Sequence, residues 1–220
     1  MNPDEEQLLS QQVDTSADVV QQLLRIACYD EYKANAYYQK VIDTYGSVTP
    51  FSNIVQAEVR HYTAIEQLCK KYGVTPPIND WYDKIQIGSS LTECCQDGVD
   101  AEIANIEMYD KLLPFVMQDD IRDVFYKEQA ASYNQHLPAF ERCAQNNQAN
   151  DNQQHHDIYN MVQGLMKGEM DSTKITQALT SIGSRDMMLG MAAGAALAMA
   201  LSSDASKDVF DKIFNDKDKS

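Results

Sequence analysis

The sequence predicts an all-α protein, a four-helix bundle with a long crossover followed by a small helical extension. Only six of the 220 residues are proline and nine are glycine. In four long segments the apolar residues recur three and four positions apart, which is the period of an α-helix. The segments form two pairs joined by a long connection, and one class of four-helix bundle is connected in this way.

The first two predicted helices have recognisable ends. The first runs from an N-cap at about Ser16 to Tyr45, with a glycine directly after it. The second begins at Thr49-Pro50, an N-cap followed by a proline in the first helical position, and runs to Tyr72 before another glycine. These two helices form the first pair.

The second pair follows a crossover over residues 73–97. The third helix is predicted over 98–113, where Pro114 ends or kinks it, and the fourth over 119–146. The tract QNNQANDNQQHHD, which comes next, is polar throughout and is typical of a linker. The chain therefore divides into a polar N-terminal segment, the bundle, a polar linker and a helical extension, which cover residues 1–15, 16–145, 146–157 and 158–220.

The helical extension contains a segment without any polar side chain, residues 187–201. As a helix it is about 22 Å long, short of the ~30 Å hydrocarbon core of a membrane. Its row of small residues, Gly190, Gly194 and Ala198, would let another helix approach closely. We therefore expect a homo-oligomer formed through the C-terminal helices. A segment embedded in a membrane or lying on its surface is the less favoured alternative.

The charge and the cysteine content of the chain limit the kinds of partner and the cellular compartment that can be expected. The chain carries 18 Lys and Arg against 33 Asp and Glu, a formal net charge of -15. A field of this sign repels phosphates, so no nucleic-acid partner is expected, and cations are better candidates. Five cysteines without a CxxC pair indicate a reducing compartment. Because the N-terminus lacks the basic and apolar regions of a signal peptide, the predicted location is cytoplasmic.

Ionisable residues lie on the core-facing stripe of all four predicted helices. They are Glu31 in the first helix, Glu58 and His61 in the second, Glu102 in the third and His136 in the fourth. An isolated buried carboxylate costs several kcal/mol or takes up a proton. Three helices with one inward carboxylate each therefore indicate a shared cation.

The two halves of the predicted bundle repeat this pattern. Glu102 follows Glu31 by 71 residues, each with a tyrosine seven positions later, and His136 follows His61 by 75 residues. Each half is then a helix–loop–helix unit with an inward Glu and an inward His, as in bundles that hold two iron or manganese ions. Oxygen ligands with one imidazole per ion favour these metals over metals that prefer thiolates.

Three segments carry a resemblance to a known family: DEYKANAYYQKVIDTYGSVTPFSNIVQAEVRHYTAI, AEIANIEMYDKLL and ASYNQHLPAF. They resemble the ferritin-like superfamily, most closely a rubrerythrin-like family of bacterial and archaeal domains of uncharacterised function. The resemblance covers roughly residues 16–145. It implies that Glu31 is a terminal metal ligand, that Glu58 bridges two ions and that His61 supplies the imidazole. It also implies one or two iron ions, with manganese as the alternative, and oxidation of ferrous iron or reduction of peroxide.

The second half departs from the family pattern. Glu102 and His136 are present, but Tyr133 occupies the position three before the histidine, where the pattern has a second bridging Glu. We expect the second metal ion to bind more weakly unless Glu128 or Glu107 replaces the missing carboxylate. Tyr133 itself is expected either to bind a ferric ion or to donate a hydrogen bond to the bridging carboxylate.

Two further interpretations compete with a metal enzyme. In the first, the buried Glu and His residues hydrogen-bond to one another and hold no metal. In the second, the protein is a non-enzymatic scaffold whose C-terminal helix, rich in Ala, Gly and Met, mediates self-association or membrane attachment.

Overall fold

The computed structural model describes residues 12–166, and within this range it is all-helical and contains no strand. This confirms the predicted structural class. The four long predicted helices are all present, and their ends differ from the prediction for identifiable reasons.

The first helical pair is close to the prediction. α1 spans Val19–Tyr45, and the Asp18 side chain caps it by accepting a hydrogen bond of 3.0 Å from the amide three residues on. The predicted cap at Ser16 is therefore two residues too early. α2 spans Phe51–Tyr72 and is followed by Gly73, whose φ of 69° suits glycine.

The crossover is shorter than predicted. It contains α3, a single turn at Trp81–Lys84, and ends where α4 begins, since α4 spans Leu91–Leu112. The hydroxyl of Ser90 accepts a hydrogen bond of 3.1 Å from the amide of Glu93, and Oε2 of Glu93 accepts one of 2.7 Å from the amide of Ser89. This capping arrangement starts the helix seven residues before the predicted residue 98.

The fourth long helical stretch has three consecutive parts. After a 3-10 turn at Leu113–Phe115, α5 spans Asp119–Ala131, a π turn covers Ser132–His136 and α6 spans Leu137–Met166. The helix continues through residues 146–157, so the helix end predicted near residue 146 is wrong. This tract contains no proline or glycine, and polarity alone does not interrupt a helix.

The long helices together form two apolar clusters, and a layer of buried polar residues lies between these clusters. α1 packs along α2 and against α4, and α5 packs against both α2 and α4. One cluster includes Leu24, Ile65, Tyr109 and Phe125, and the other includes Tyr38, Phe51, Cys95 and Phe140. The buried polar residues between the clusters are Glu31, Glu58, His61, Glu102, Asn105, Glu128, Ser132 and His136.

Gly98 allows close packing beside this layer. A Cβ at this position would lie 2.5 Å from Cδ1 of Phe140, well inside van der Waals contact. The Phe140 ring is fully buried and packs against Tyr38 and Phe51, with ring centroids 5.0 Å apart in both pairs. The absence of a side chain at Gly98 therefore sets the distance between α4 and α6.

A disulfide joins Cys95 of α4 to Cys143 of α6, 48 residues apart in the sequence. Cys28, Cys69 and Cys94 are free and buried. The cysteine spacing does not predict this disulfide, because helix packing brings together residues that the sequence separates. The cytoplasmic location, which depends in part on the cysteine pattern, stays a prediction.

By its internal contacts the chain divides into two units, Met1–Asn147 and Gln148–Ser220, and the division falls inside the tract predicted as a linker. The apolar segment 187–201, and with it the predicted oligomer or membrane contacts, lies outside the described residues. Within residues 12–166, no helix is both long enough and apolar enough to cross a membrane.

Candidate metal centre

All five residues predicted as ligands lie together in the polar layer. Glu58 of α2 is central, because its Oε2 lies 3.2 Å from Nδ1 of His61 and its Oε1 lies 3.1 Å from Nδ1 of His136. Oε2 of Glu31 lies 3.3 Å from Nδ1 of His61. Oε1 of Glu102 lies 3.5 Å from Nδ1 of His136. The two imidazole rings stack with their centroids 5.5 Å apart.

These residues form two groups that share one carboxylate. The first group is Glu31, Glu58 and His61, and the second is Glu58, Glu102 and His136. In each group the ligand atoms lie within 4.8 Å of one another, which is close enough for one metal ion to reach all three. Glu58 directs Oε2 at His61 and Oε1 at His136, so it offers a different oxygen to each group, which is one way for a carboxylate to bridge two ions.

The cluster carries an excess of buried negative charge. The exposed fractions of Glu31, Glu58 and Glu102 are 1%, 2% and 2%, and Glu128 is also buried beside them. These four carboxylates, when all are ionised, exceed the charge of the two imidazoles by two even when both rings are protonated. Burying such a surplus is costly, and a bound cation would relieve it.

The pKa values reflect this crowding. Burial raises the pKa of Glu31, whereas the adjacent imidazoles of His136 and His61 outweigh burial at Glu58 and lower its pKa. Burial lowers the pKa of both imidazoles, but the carboxylates outweigh it and raise the pKa to about 12 at His61 and to about 9 at His136. Without a metal, the imidazoles therefore hold protons at neutral pH.

Nδ1 of His136 is a buried nitrogen without a hydrogen-bond partner. It lies 3.1 Å and 3.5 Å from carboxylate oxygens of Glu58 and Glu102, yet neither contact has the geometry of a hydrogen bond. Buried polar atoms are rarely left unpaired in native structures, and a functional ligand is one explanation. A nitrogen that faces two carboxylates in this way is suited to an ion.

Two tyrosines hold the terminal carboxylates in a crossed arrangement. Tyr109 of α4 donates a hydrogen bond of 2.7 Å to Oε1 of Glu31 on α1. Tyr38 of α1 donates one of 2.6 Å to Oε1 of Glu102 on α4. The sequence repeat aligns these residues as pairs, and the structure shows that each tyrosine serves the other half. In the Glu31 group the second oxygen remains directed at the histidine.

Asn105 is a buried residue of the layer that the sequence analysis missed. Its Nδ2 donates hydrogen bonds of 2.8 Å to Oδ2 of Asp30 and 3.2 Å to Oε1 of Glu31. Its Oδ1 accepts a hydrogen bond of 2.9 Å from the hydroxyl of Ser132. Because Asn105 lies three residues after Glu102, it repeats the spacing of Glu58 and His61, and that spacing could have revealed it.

Tyr133 does not lie in the cluster. Its side chain is 64% exposed and lines a surface groove of about 350 Å³ together with Tyr126. The π turn adds one residue to this turn of the helix, so that Ser132, four before His136, faces the interior instead. Tyr133 was expected either to bind a ferric ion or to donate a hydrogen bond to Glu58. Its exposed position shows that this expectation is wrong.

The two proposed substitutes for the missing carboxylate differ in position. The side chain of Glu107 is 62% exposed and lies 3.7 Å from Lys111, so it is not available as a ligand. Glu128 is buried, and its Oε2 lies 2.9 Å from Nε2 of His61. Glu128 thus joins the cluster beside His61 rather than beside His136.

The chain matches no family model, and no curated protein or solved structure shows significant similarity to it. The resemblance to the ferritin-like superfamily therefore stays a hypothesis.

The residues present are chemically suited to a metal ion. Each group offers carboxylate oxygens and one imidazole, a donor set that iron, manganese and zinc accept. Among the described residues no cysteine belongs to either group. A bound cation would offset the surplus negative charge and would give Nδ1 of His136, which lacks a hydrogen bond, a partner.

Proposed function

We propose that this protein is a ferritin-like four-helix bundle that binds two iron ions, with manganese as the alternative, and acts as an oxidoreductase. The observation that supports it best is Glu58, one buried carboxylate shared by two Glu–His groups. Glu31 and His61 would hold one ion, Glu102 and His136 the other, and Glu58 would bridge them. The reaction we propose is oxidation of ferrous iron or reduction of peroxide.

Iron in such a donor set supplies one-electron oxidation and reduction. The residues of the chain contribute the environment in which this takes place. The apolar clusters on both sides of the layer exclude water, which strengthens every electrostatic interaction within it. The hydroxyls of Tyr38 and Tyr109 fix one oxygen of each terminal carboxylate and limit its rotation.

Metal content tests the binding part of the proposal. The full chain is purified without a histidine tag, analysed for metals, stripped of them and titrated with Fe²⁺ under anaerobic conditions. We expect two ions per chain in the wild type, one in Glu31→Ala and none held tightly in Glu58→Ala, because only Glu58 belongs to both groups. Glu107→Gln removes an exposed charge as the matched control and should retain two. A wild type that binds no ion would refute the proposal.

Oxidation kinetics test the enzymatic part separately. Oxidation of Fe²⁺ by dioxygen or by peroxide is followed by absorbance for the wild type and for Glu58→Ala. We expect the wild type to be faster at equal iron concentration. If the wild type binds two ions but does not accelerate oxidation, the proposed metal binding stands and the proposed oxidoreductase activity is rejected.

A further inference from the structure

The imidazole of His61 contacts carboxylates at both of its nitrogens. Nδ1 lies 3.3 Å from Glu31 and 3.2 Å from Glu58, whereas Nε2 lies 2.9 Å from Oε2 of Glu128. The two nitrogens of an imidazole point away from each other, so Glu128 lies on the opposite edge of the ring from the other two carboxylates. An ion held at Nδ1 with Glu31 and Glu58 therefore leaves Nε2 protonated and facing Glu128.

The two histidines differ in this respect. His136 contacts both of its carboxylates, Glu58 and Glu102, through Nδ1. Over residues 12–166, no ion pair is formed by its Nε2. His61 alone thus has a buried carboxylate behind it, and this breaks the symmetry of the repeat.

We propose that Glu128 is a positioning residue that accepts the Nε2 proton of His61 and makes the Glu31–Glu58–His61 group the tighter metal site, filled first. This inference rests on the proposed metal binding and deepens it. A carboxylate behind a metal-bound histidine fixes the tautomer, orients the ring and makes the ligating nitrogen more basic. Losing such a partner typically weakens metal binding 10–100-fold.

The inference also gives the buried carboxylate of Glu128 a role that does not require it to replace the missing second bridging Glu. Glu128 lies two helical turns before His136 on the same buried face, too far along the helix to complete that group. From α5 it reaches across to α2, which is the helix that carries His61.

Titration of the metal-free full chain with Mn²⁺ tests the inference, with two dissociation constants measured for each variant. In Glu128→Ala we expect the first ion to bind about 10–100-fold more weakly and the second to be unchanged. Glu128→Gln retains a hydrogen-bond acceptor and should lose less than Glu128→Ala. Glu107→Gln removes an equal charge at an exposed site and should behave as the wild type.

A spectroscopic readout separates positioning from mere folding effects. In the Zn²⁺-loaded, ¹⁵N-labelled protein we expect the His61 ring to bind zinc through Nδ1 and to carry a proton on Nε2. We expect Glu128→Ala to lose the slow exchange of that proton while circular dichroism stays unchanged.

Three results would overturn the inference. They are equal weakening of both ions in Glu128→Ala, no weakening of either, and zinc bound through Nε2 of His61. If the wild type binds two ions while the Glu128 variants are unaffected, only this inference fails. If the wild type binds none, the proposed function fails and this inference with it.

Discussion

The hydroxyl of Tyr38 on α1 donates a hydrogen bond of 2.6 Å to Oε1 of Glu102 on α4, with both side chains almost completely buried. The pair crosses from one half of the sequence repeat to the other. Tyr109 and Glu31 make the reverse connection. The geometry of each terminal carboxylate therefore depends on the packing of both halves, and neither half is complete alone.

Replacing Tyr38 with Phe should weaken metal binding as well as the fold. Glu102 would lose its donor, and a hydrogen bond to a charged group is worth about 1.5–3 kcal/mol. Tyr37→Phe is a matched control, since the hydroxyl of Tyr37 also donates to a carboxylate, Asp97, but outside the cluster. Urea denaturation should show a cost for both variants, whereas metal titration should show a loss for Tyr38→Phe alone. Equal metal affinity in the two variants would contradict the role of Tyr38.

Glu31→Gln should stabilise the metal-free protein. Burial raises the pKa of Glu31 above its ordinary value of 4.5, so its ionised form costs stability that grows as the pH rises above that value. The amide removes this cost and still accepts hydrogen bonds from Tyr109 and Asn105. At pH 7 we expect the metal-free variant to have the higher Tm, by about 2–4 °C for each kcal/mol gained in a chain of this length.

The measurement is thermal unfolding of both proteins in the presence of EDTA and then of Fe²⁺. With metal the order should reverse, because the wild type gains more from the ion than the variant. A variant that is less stable than the wild type in EDTA would show that the buried charge of Glu31 does not destabilise the metal-free protein.

Metal affinity should rise with pH. A ligating imidazole must be unprotonated, and neighbouring carboxylates outweigh burial to raise the pKa of His136 to about 9. Below that pH each ion displaces a proton from its histidine, so the apparent affinity should increase about tenfold per pH unit for each proton displaced. Mn²⁺ titrations at pH 6, 7 and 8 measure the slope, and calorimetry in two buffers counts the protons released. An affinity that is constant over this range would contradict the protonated state of the metal-free cluster.

Gly98→Ala should destabilise the fold by about 1–3 kcal/mol. The added methyl group would lie 2.5 Å from the ring of Phe140, which is buried on all sides and cannot move away freely. The double variant Gly98→Ala/Phe140→Leu should recover part of the loss, because the smaller side chain makes room. Urea denaturation of the two variants against Phe140→Leu alone measures this coupling, and strictly additive losses would contradict it.

The helical period is sufficient to predict that the five candidate ligands are buried, although it leaves out Asn105. It puts Glu31, Glu58, Glu102 and the two histidines on core-facing stripes, and the structure buries all five in two groups that share Glu58. Such a prediction succeeds because, in a regular α-helix, the face of a residue follows directly from its number.

What could not be predicted depends on local departures from that period and on tertiary contact. The π turn at Ser132–His136 turns Tyr133 outward, and residue spacing in a regular α-helix does not reveal such a local departure. The disulfide between Cys95 and Cys143 requires two helices to be adjacent before the cysteines can meet. The role of Glu128 beside His61 likewise emerges only when α5 is placed against α2.

The π turn leads to a prediction that differs from the one that residue spacing alone would give. By residue spacing alone, Tyr133→Glu should restore the second bridging carboxylate and raise the metal stoichiometry. Because the Tyr133 side chain is 64% exposed, we expect instead that this variant binds metal as the wild type does. Ser132→Ala is the informative comparison, since it removes the hydrogen bond to Asn105, which in turn donates to Glu31. Fe²⁺ titration should show a severalfold loss of affinity for Ser132→Ala and none for Tyr133→Glu, and tighter or additional metal binding in Tyr133→Glu would contradict the outward orientation of residue 133.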